Sequence, residues 1–298
     1  MLEGKFHQYL QVERNYSPHT ILAYTQDLKS FDTFLKEHYS LDIFQEKDAQ
    51  AVTHRMIRVW MGELLDGGAG NRSVTRKVAS LSAYFRYLRK SGLATQNPVT
   101  KVKSPKFEKK LPSFLKHDSI GQLFEGIEFG ADFEGTRDCA VLELLYSCGL
   151  RRSELVGLQF RDIDFLNATV KVMGKGRKER VVPLGRCASK AMKTYIQVCD
   201  EAGFDYMGNF FLKADGEPIY DRLVHRLVDK YLKQVSSLTK TSPHVLRHTF
   251  ATHLLDRGAD LNAIKEMLGH TSLAATQVYV HNSISKLKDV YSKAHPKA

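Results

Sequence analysis

Four short stretches of this chain place basic side chains at helix ends or in a hairpin turn. In SPHVLRHTFATHLLDRG, Ser242 and Pro243 read as the N-cap and first position of a helix, which puts His244 and Arg247 at i and i+3 on one side of its opening turn. The free N–H groups and positive dipole end of such a turn favour an anion, so the pair suits a phosphate; seen alone, HxxR also describes an ordinary surface His and Arg. His244 and His248 at i and i+4 raise the question of a metal. HVLRH lacks the glutamate of HExxH and no cysteine or carboxylate cluster completes a ligand set, so no metal is expected. In DLNAIKEMLGH, Leu261, Ile264, Met267 and Leu268 mark a core face, and Gly269 is a natural left-handed stop that turns His270 away from that core; Tyr279 follows within TSLAATQVYVH. Upstream, CGLRRSELVGL ends one helix at Gly149 and starts another near Ser153, with Arg151 and Arg152 between them, and GKGRKER is a basic turn carrying Lys175. The Walker pattern G-x-x-x-x-G-K-[ST] is absent, which disfavours nucleotide-loop chemistry.

The elements that must position these groups follow from apolar periodicity. Ser17-Pro18 opens a helix whose stripe is Ile21, Tyr24, Leu28, Phe31 and Leu35, a second helix covers about Thr53 to Leu65, and a third runs from near Ser73 through Val74, Val78, Leu81, Phe85 and Leu88 to a stop at Gly92. That third helix presents Arg72, Arg76, Lys77, Arg86, Arg89 and Lys90, a face more one-sided than solubility requires. Residues 101–116, KVKSPKFEKKLPSFLK, carry six lysines (Lys101, Lys103, Lys106, Lys109, Lys110, Lys116) against Glu108, two prolines and no apolar period, and read as an extended basic linker. Beyond it, helical patterns cover roughly 118–128, 136–148, 186–201, 220–234, 243–257, 260–268 and 284–293. They are interrupted by Val170 and Val172, a turn at Gly174–Gly176, and Val181 and Val182, which form a small antiparallel sheet. The expected fold is mainly α with this sheet attached: a helical domain over 1–100, a linker over 101–113 and an α+β domain over 114–298.

Composition narrows the function classes. The 298 residues hold 44 Lys+Arg and 33 Asp+Glu, a net charge of +11, with 43% apolar residues, which excludes a disordered chain and points to a polyanion partner. Only 13 Lys+Arg face 10 Asp+Glu in residues 1–100, so the excess is uneven. With no apolar run of about 18 residues and no apolar signal core at the start, neither a membrane span nor export is expected, and the chain is placed in the cytoplasm. Cys139, Cys148, Cys187 and Cys199 form no CxxC pair and read as buried small hydrophobes.

Taken in order, Arg151 in GLRRSEL, Lys175 in GKGRKER, His244 and Arg247 in HxxR, His270 in LGH and Tyr279 resemble the tyrosine recombinase (phage integrase) family, and the resemblance spans almost the whole chain. The ending HPKA resembles that of the Xer subgroup, which resolves chromosome dimers. Arg152 departs from the family pattern, which often has an apolar residue there; Arg151, directly after Gly149-Leu150, is the arginine that the resemblance assigns. It implies a helical core-binding domain followed by a catalytic domain. Tyr279 is then the nucleophile that forms a 3′-phosphotyrosine, Arg151 and Arg247 hold the non-bridging oxygens, Lys175 is the general acid for the 5′-oxygen, His244 assists proton transfer, and His270 donates to the phosphate. With that many cations on the phosphate, no cofactor or metal is implied. The implied partners are a double-stranded recombination site, a homo- or hetero-tetramer with a second recombinase, exchange through a Holliday junction, and a DNA translocase at the division septum; no membrane is implied. Arg72, Arg76, Lys77, Lys101, Lys103, Lys106, Lys109 and Lys110 are the expected DNA-backbone contacts. In this family a last helix, here with Ile284, Leu287, Val290 and Tyr291 at helical spacing, docks on a neighbouring protomer; packing on its own domain is the alternative. Tyr146, Tyr220 and Tyr291 read as packing residues. A type IB topoisomerase and a non-enzymatic helix-rich DNA-binding regulator are the rival classes, and the regulator has no use for Tyr279.

Overall fold

The structure, a computed structural model, describes residues 2–106, 113–174, 179–269 and 280–297, with only the backbone of 280–286. The chain divides into two units, Met1–Lys110 and Leu111–Ala298. Lys109, Lys110, Lys175, His270 and Tyr279 lie outside the described residues.

The first unit is helical. Helix α1 (Leu2–Gln8) runs into a π-helical turn at Tyr9–Glu13 and is followed by α2 (Pro18–Tyr39), α3 (Glu46–Ala51), α4 (His54–Asp66) and α5 (Asn71–Lys90). The Ser17 hydroxyl accepts from the Thr20 N–H at 3.3 Å, which caps α2 as its sequence predicts. Leu28, Phe31 and Leu35 of α2 and all five apolar positions of the α5 stripe are buried, while Ile21 and Tyr24 pack at the edge. Helices α1 and α3 were not anticipated, because each is too short to show a period; α1 nevertheless adds Leu2 and Phe6 to the core, with the Phe6 and Tyr84 rings 5.1 Å apart edge to face. After α5, residues 101–106 of the basic stretch are fastened to this unit: the carbonyls of Lys101, Pro105 and Lys106 accept from Arg58, Thr75 and Asn71.

The second unit comprises α6 (His117–Glu125), α7 (Phe133–Cys148), α8 (Arg152–Val156), β1 (Ile163–Asp164), β2 (Thr169–Met173), β3 (Glu179–Pro183), α9 (Arg186–Ala202), α10 (Asp221–Val235), α11 (Pro243–Asp256), α12 (Leu261–Leu268) and α13 (Val280–Ala294). The strands form an antiparallel sheet in the order β1-β2-β3, with Val170 opposite Val182 and Val172 opposite Arg180. Two-residue β1 escaped the sequence reading because it is too short to alternate. Helix α7 is the centre of the unit, buried from Gly135 to Cys148 apart from the half-buried Cys139. Each fully buried Leu or Val there contributes about 1.5–3 kcal/mol relative to exposure. Gly149 ends α7 with φ +58°, and a Cβ at that position would meet the Phe250 ring at 2.5 Å, so both backbone sign and close approach require glycine. Buried His253 accepts at Nδ1 from the Tyr146 hydroxyl (3.0 Å) and donates from Nε2 to the Leu115 carbonyl (2.9 Å), which seats the start of the unit on α11.

Several expectations are corrected here. Ser242 stands at the N-cap position of α11, yet its hydroxyl makes no capping bond. Leu261 is exposed at the start of α12, where the core face consists of Ala263, Ile264, Met267 and Leu268. Cys148 and Cys199 are buried as expected, but Cys187 is exposed in the first turn of α9. Tyr146 and Tyr291 are packing residues, whereas Tyr220 is largely exposed and its hydroxyl accepts from Arg226. Leu287, Tyr291 and Ala294 of α13 are buried in their own unit.

Candidate active site

Arg151 is the N-cap residue of α8, and Glu154, three positions on, reaches back to accept from its N–H at 2.8 Å. The same carboxylate accepts from the Arg151 guanidinium at 2.6 Å and takes both terminal nitrogens of Arg180 on β3, at 2.7 and 2.8 Å. Arg247, one turn into α11, stands 3.9 Å from it. Only 2% of the Glu154 side chain is exposed. Burial alone would raise its pKa, but the hydrogen bonds from Arg180 and from the Arg151 N–H, with the adjacent positive charges, hold it below the ordinary carboxylate value.

The three guanidiniums also converge on one helix end. Arg180 Nε donates to the Met267 carbonyl at 2.7 Å, Arg247 to the Leu268 carbonyl, and Arg151 to the Gly269 carbonyl at 3.3 Å. These acceptors are the free carbonyls at the C-terminus of α12, whose negative dipole end favours cations. Gly269, at φ +61°, lets Arg180 approach: a Cβ there would stand 3.1–3.3 Å from its guanidinium and last methylene. Arg247 is fixed further by a bond from Nη1 to the Gly149 carbonyl at 2.5 Å, so the glycine that ends α7 also anchors this side chain.

Three guanidiniums around one carboxylate leave an excess of two positive charges in a shielded place. Its strain is visible in Arg247, whose pKa is pushed down to about 10 by burial first and then by Arg151 and Arg180, against the pull of Glu154. His244 is exposed as a residue, yet partial desolvation of its ring, followed by Arg247, Arg152 and Arg151, lowers its pKa. An anion placed among these groups would relieve all of these effects.

Arg151, His244 and Arg247 are therefore brought into one electrostatic neighbourhood. Arg152 turns instead to Asp221 at the start of α10, at 3.1 Å, which separates the two adjacent arginines by role. Glu154 and Arg180 were missed. Glu154 could have been found as the N3 residue of a short helix, whereas nothing local distinguishes Arg180 from its neighbours in KERVV. On α5, Arg72 is exposed, while Arg76 and Lys77 share one buried carboxylate and keep a net charge of +1: Arg76, its side chain 51% exposed, gives both terminal nitrogens to Asp27, one at 2.8 Å, and Lys77 stands 3.5 Å from it. Lys101, Lys103 and Lys106 are exposed.

Comparison with known proteins identifies the family and the fold. Residues 113–286 match the model of the phage integrase family, and residues 4–92 that of the phage integrase N-terminal SAM-like domain. The chain is 42% identical to tyrosine recombinase XerC of Pelobacter propionicus and 40% identical to that of Chlorobaculum parvum, in each case over 98% of this chain and 94% of the relative. Among solved structures, XerH site-specific recombinase bound to a palindromic difH substrate shares the fold, with a TM-score of 0.69 at 20% identity over 97% of this chain and 84% of that one. The Tn1549 transposon integrase in complex with transposon right-end DNA shares it at a TM-score of 0.67, with 21% identity over 97% of this chain and 98% of that one. The mainly helical chain with its small antiparallel sheet belongs to the phage integrase family of tyrosine recombinases.

Proposed function

We propose that this protein cleaves and rejoins DNA at a recombination site through a 3′-phosphotyrosyl intermediate. The observation that carries the reading is the shared carboxylate: Glu154 holds Arg151 and Arg180 directly, with Arg247 3.9 Å away, and leaves a preorganised positive excess beside His244. A phosphodiester carries one negative charge and gains another as the five-coordinate phosphorus forms, so donors fixed before the reaction favour the transition state over the ground state. In this reading the Tyr279 oxygen attacks phosphorus as its proton passes to His244, and the bond to the 5′-oxygen breaks as Lys175 supplies a proton to that oxygen. Arg151 and Arg247 bind the non-bridging oxygens, and His270 adds a hydrogen bond to the phosphate. Attack by a 5′-hydroxyl reverses the step, and because the phosphotyrosyl bond retains the energy of the diester, no ATP is required.

Four protomers, all of this chain or shared with a sister recombinase, would then hold two duplexes and exchange strands pairwise through a Holliday junction. The cellular task in this reading is chromosome dimer resolution in the cytoplasm, with a septal DNA translocase as activating partner; similarity to tyrosine recombinases XerC supports the recombinase part of it. In such an assembly α13 would leave its own unit to dock on a neighbour.

The test is covalent trapping on nicked suicide duplexes drawn from a randomised pool. Wild-type protein should form an adduct that Tyr279→Phe does not, and Arg151→Gln should abolish it with little change in the salt dependence of binding, at most the one phosphate contact it makes. Equal absence of adduct from wild type and Tyr279→Phe would refute the enzyme reading. Joined products from two trapped sites, as opposed to relaxation alone, separate a recombinase from a topoisomerase.

A further inference from the structure

The function above needs Arg247 close to Glu154 and yet not captured by it, and the structure points to the residue that keeps them apart. Arg180 is the best-satisfied cation of the cluster: its side chain is 9% exposed, Nη1 and Nη2 each hold one oxygen of Glu154, and Nε holds the Met267 carbonyl. Every nitrogen of this guanidinium has an acceptor inside the protein, so it is not disposed to bind a phosphate. Arg247 presents the opposite case. It stands 3.9 Å from Glu154, too far for a hydrogen bond, and among the described residues its hydrogen bonds go to the backbone carbonyls of Gly149 and Leu268.

We infer that Arg180 is a positioning residue for the proposed cleavage reaction: by occupying both oxygens of Glu154 it prevents that carboxylate from capturing Arg247, and by holding the Met267 carbonyl it sets the end of α12 immediately before His270. The physical basis is competition for one carboxylate. With Arg180 in place, Glu154 is engaged on both oxygens and Arg247 remains a cation with carbonyl partners, available to an incoming anion. With Arg180 removed, the buried carboxylate keeps Arg151 but loses its bidentate partner, and the nearest cation among the described residues not already bonded to it is Arg247, 3.9 Å from Oε2. A closed Glu154–Arg247 pair would draw that guanidinium off the Gly149 and Leu268 carbonyls that aim it and put both phosphate-binding arginines on one carboxylate. Gly269 fits this role, since a side chain there would press on the Arg180 guanidinium. The inference rests on the proposed reaction, and its test separates the two.

The experiment uses the full chain and a nicked suicide duplex recovered from a randomised pool by trapping on the wild-type protein. Arg180→Gln, Arg180→Lys and the charge-neutral pair Arg180→Gln/Glu154→Gln are compared by single-turnover cleavage at saturating DNA, by equilibrium DNA affinity and by thermal unfolding. Arg180→Gln should cleave 10- to 100-fold more slowly with DNA affinity within about twofold of wild type, because the loss is of alignment and not of backbone contacts. Arg180→Lys, which keeps the charge but cannot serve Glu154 and Met267 together, should fall between. Because Glu154 also holds Arg151, Glu154→Gln is measured alone as well; with the carboxylate that captures Arg247 gone, Arg180→Gln should slow the Glu154→Gln protein much less than it slows wild type, and this neutral pair keeps the test open if Arg180→Gln alone folds poorly. Cleavage by Arg180→Gln at the wild-type rate, or the same fold slowing by Arg180→Gln with and without Glu154, overturns the inference while leaving the cleavage reading intact. A wild-type protein that traps no duplex overturns both.

Discussion

Replacing Glu154 with glutamine removes one negative charge from a cluster that already carries three positive ones, and its cost can be worked from the geometry. At an effective dielectric near 20, unit charges about 4 Å apart interact by about 4 kcal/mol, and Glu154 has two such partners in direct contact, Arg180 and Arg151. The Arg151 side chain is 28% exposed and contributes less; the Arg180 pair is almost fully enclosed. Breaking a buried pair by removing one partner typically costs about 3–5 kcal/mol, so Glu154→Gln should lose about that much stability at pH 7. Its pH dependence has a definite sign. The folded-state pKa of Glu154 lies below its ordinary value of 4.5, so its contribution is complete above that value and fades as pH falls through the depressed folded value. Wild type and variant should therefore converge in acid. Sulfate should stabilise the variant more than wild type, because its excess of three positive charges is the stronger anion site. Urea unfolding followed by circular dichroism, with and without sulfate, measures both effects. Fluorescence of Trp60, the only tryptophan, reports on the first unit for comparison. A loss below about 1 kcal/mol, or identical sulfate responses, would refute the idea that Glu154 neutralises a crowded cationic site.

Other outcomes follow from the same structure. Arg72→Ala should reduce the salt slope of DNA binding by about 1, whereas Lys77→Ala should change it less, because Lys77 is paired with Asp27; equal changes, measured by titration at several salt concentrations, would contradict that assignment. Gly149→Ala introduces a Cβ 2.5 Å from the Phe250 ring at φ +58°, and chemical denaturation should show a loss of more than about 1 kcal/mol together with slower cleavage, since the Gly149 carbonyl anchors Arg247. His295 is buried, and burial pushes its pKa down to about 3, so it stays neutral in the fold while it would charge in the unfolded chain below about pH 6.5. Stability should then fall with falling pH between about 6.5 and 3 by up to about 1.4 kcal/mol per unit, and His295→Gln should flatten that slope in denaturation series at stepped pH.

The sequence by itself determined whatever depends on near neighbours along the chain. The stripes of α2 and α5, the proline start of α11 and the left-handed glycines at 149 and 269 all arise from contacts within about four residues, where periodicity and turn chemistry act directly. The order of Arg151, His244 and Arg247 was likewise enough to suggest a phosphate site. Tertiary structure alone decided what each charge does. Arg76 resembles Arg72 in sequence, but Asp27, 49 residues away, takes its guanidinium. Arg180 is one more basic residue in a strand until β3 brings it to Glu154, 26 residues back, and to Met267, 87 residues on. An arginine's role is set by which acceptors surround it in a shielded place, and here those acceptors come from α8, α12 and the end of α7, elements whose meeting no local pattern encodes.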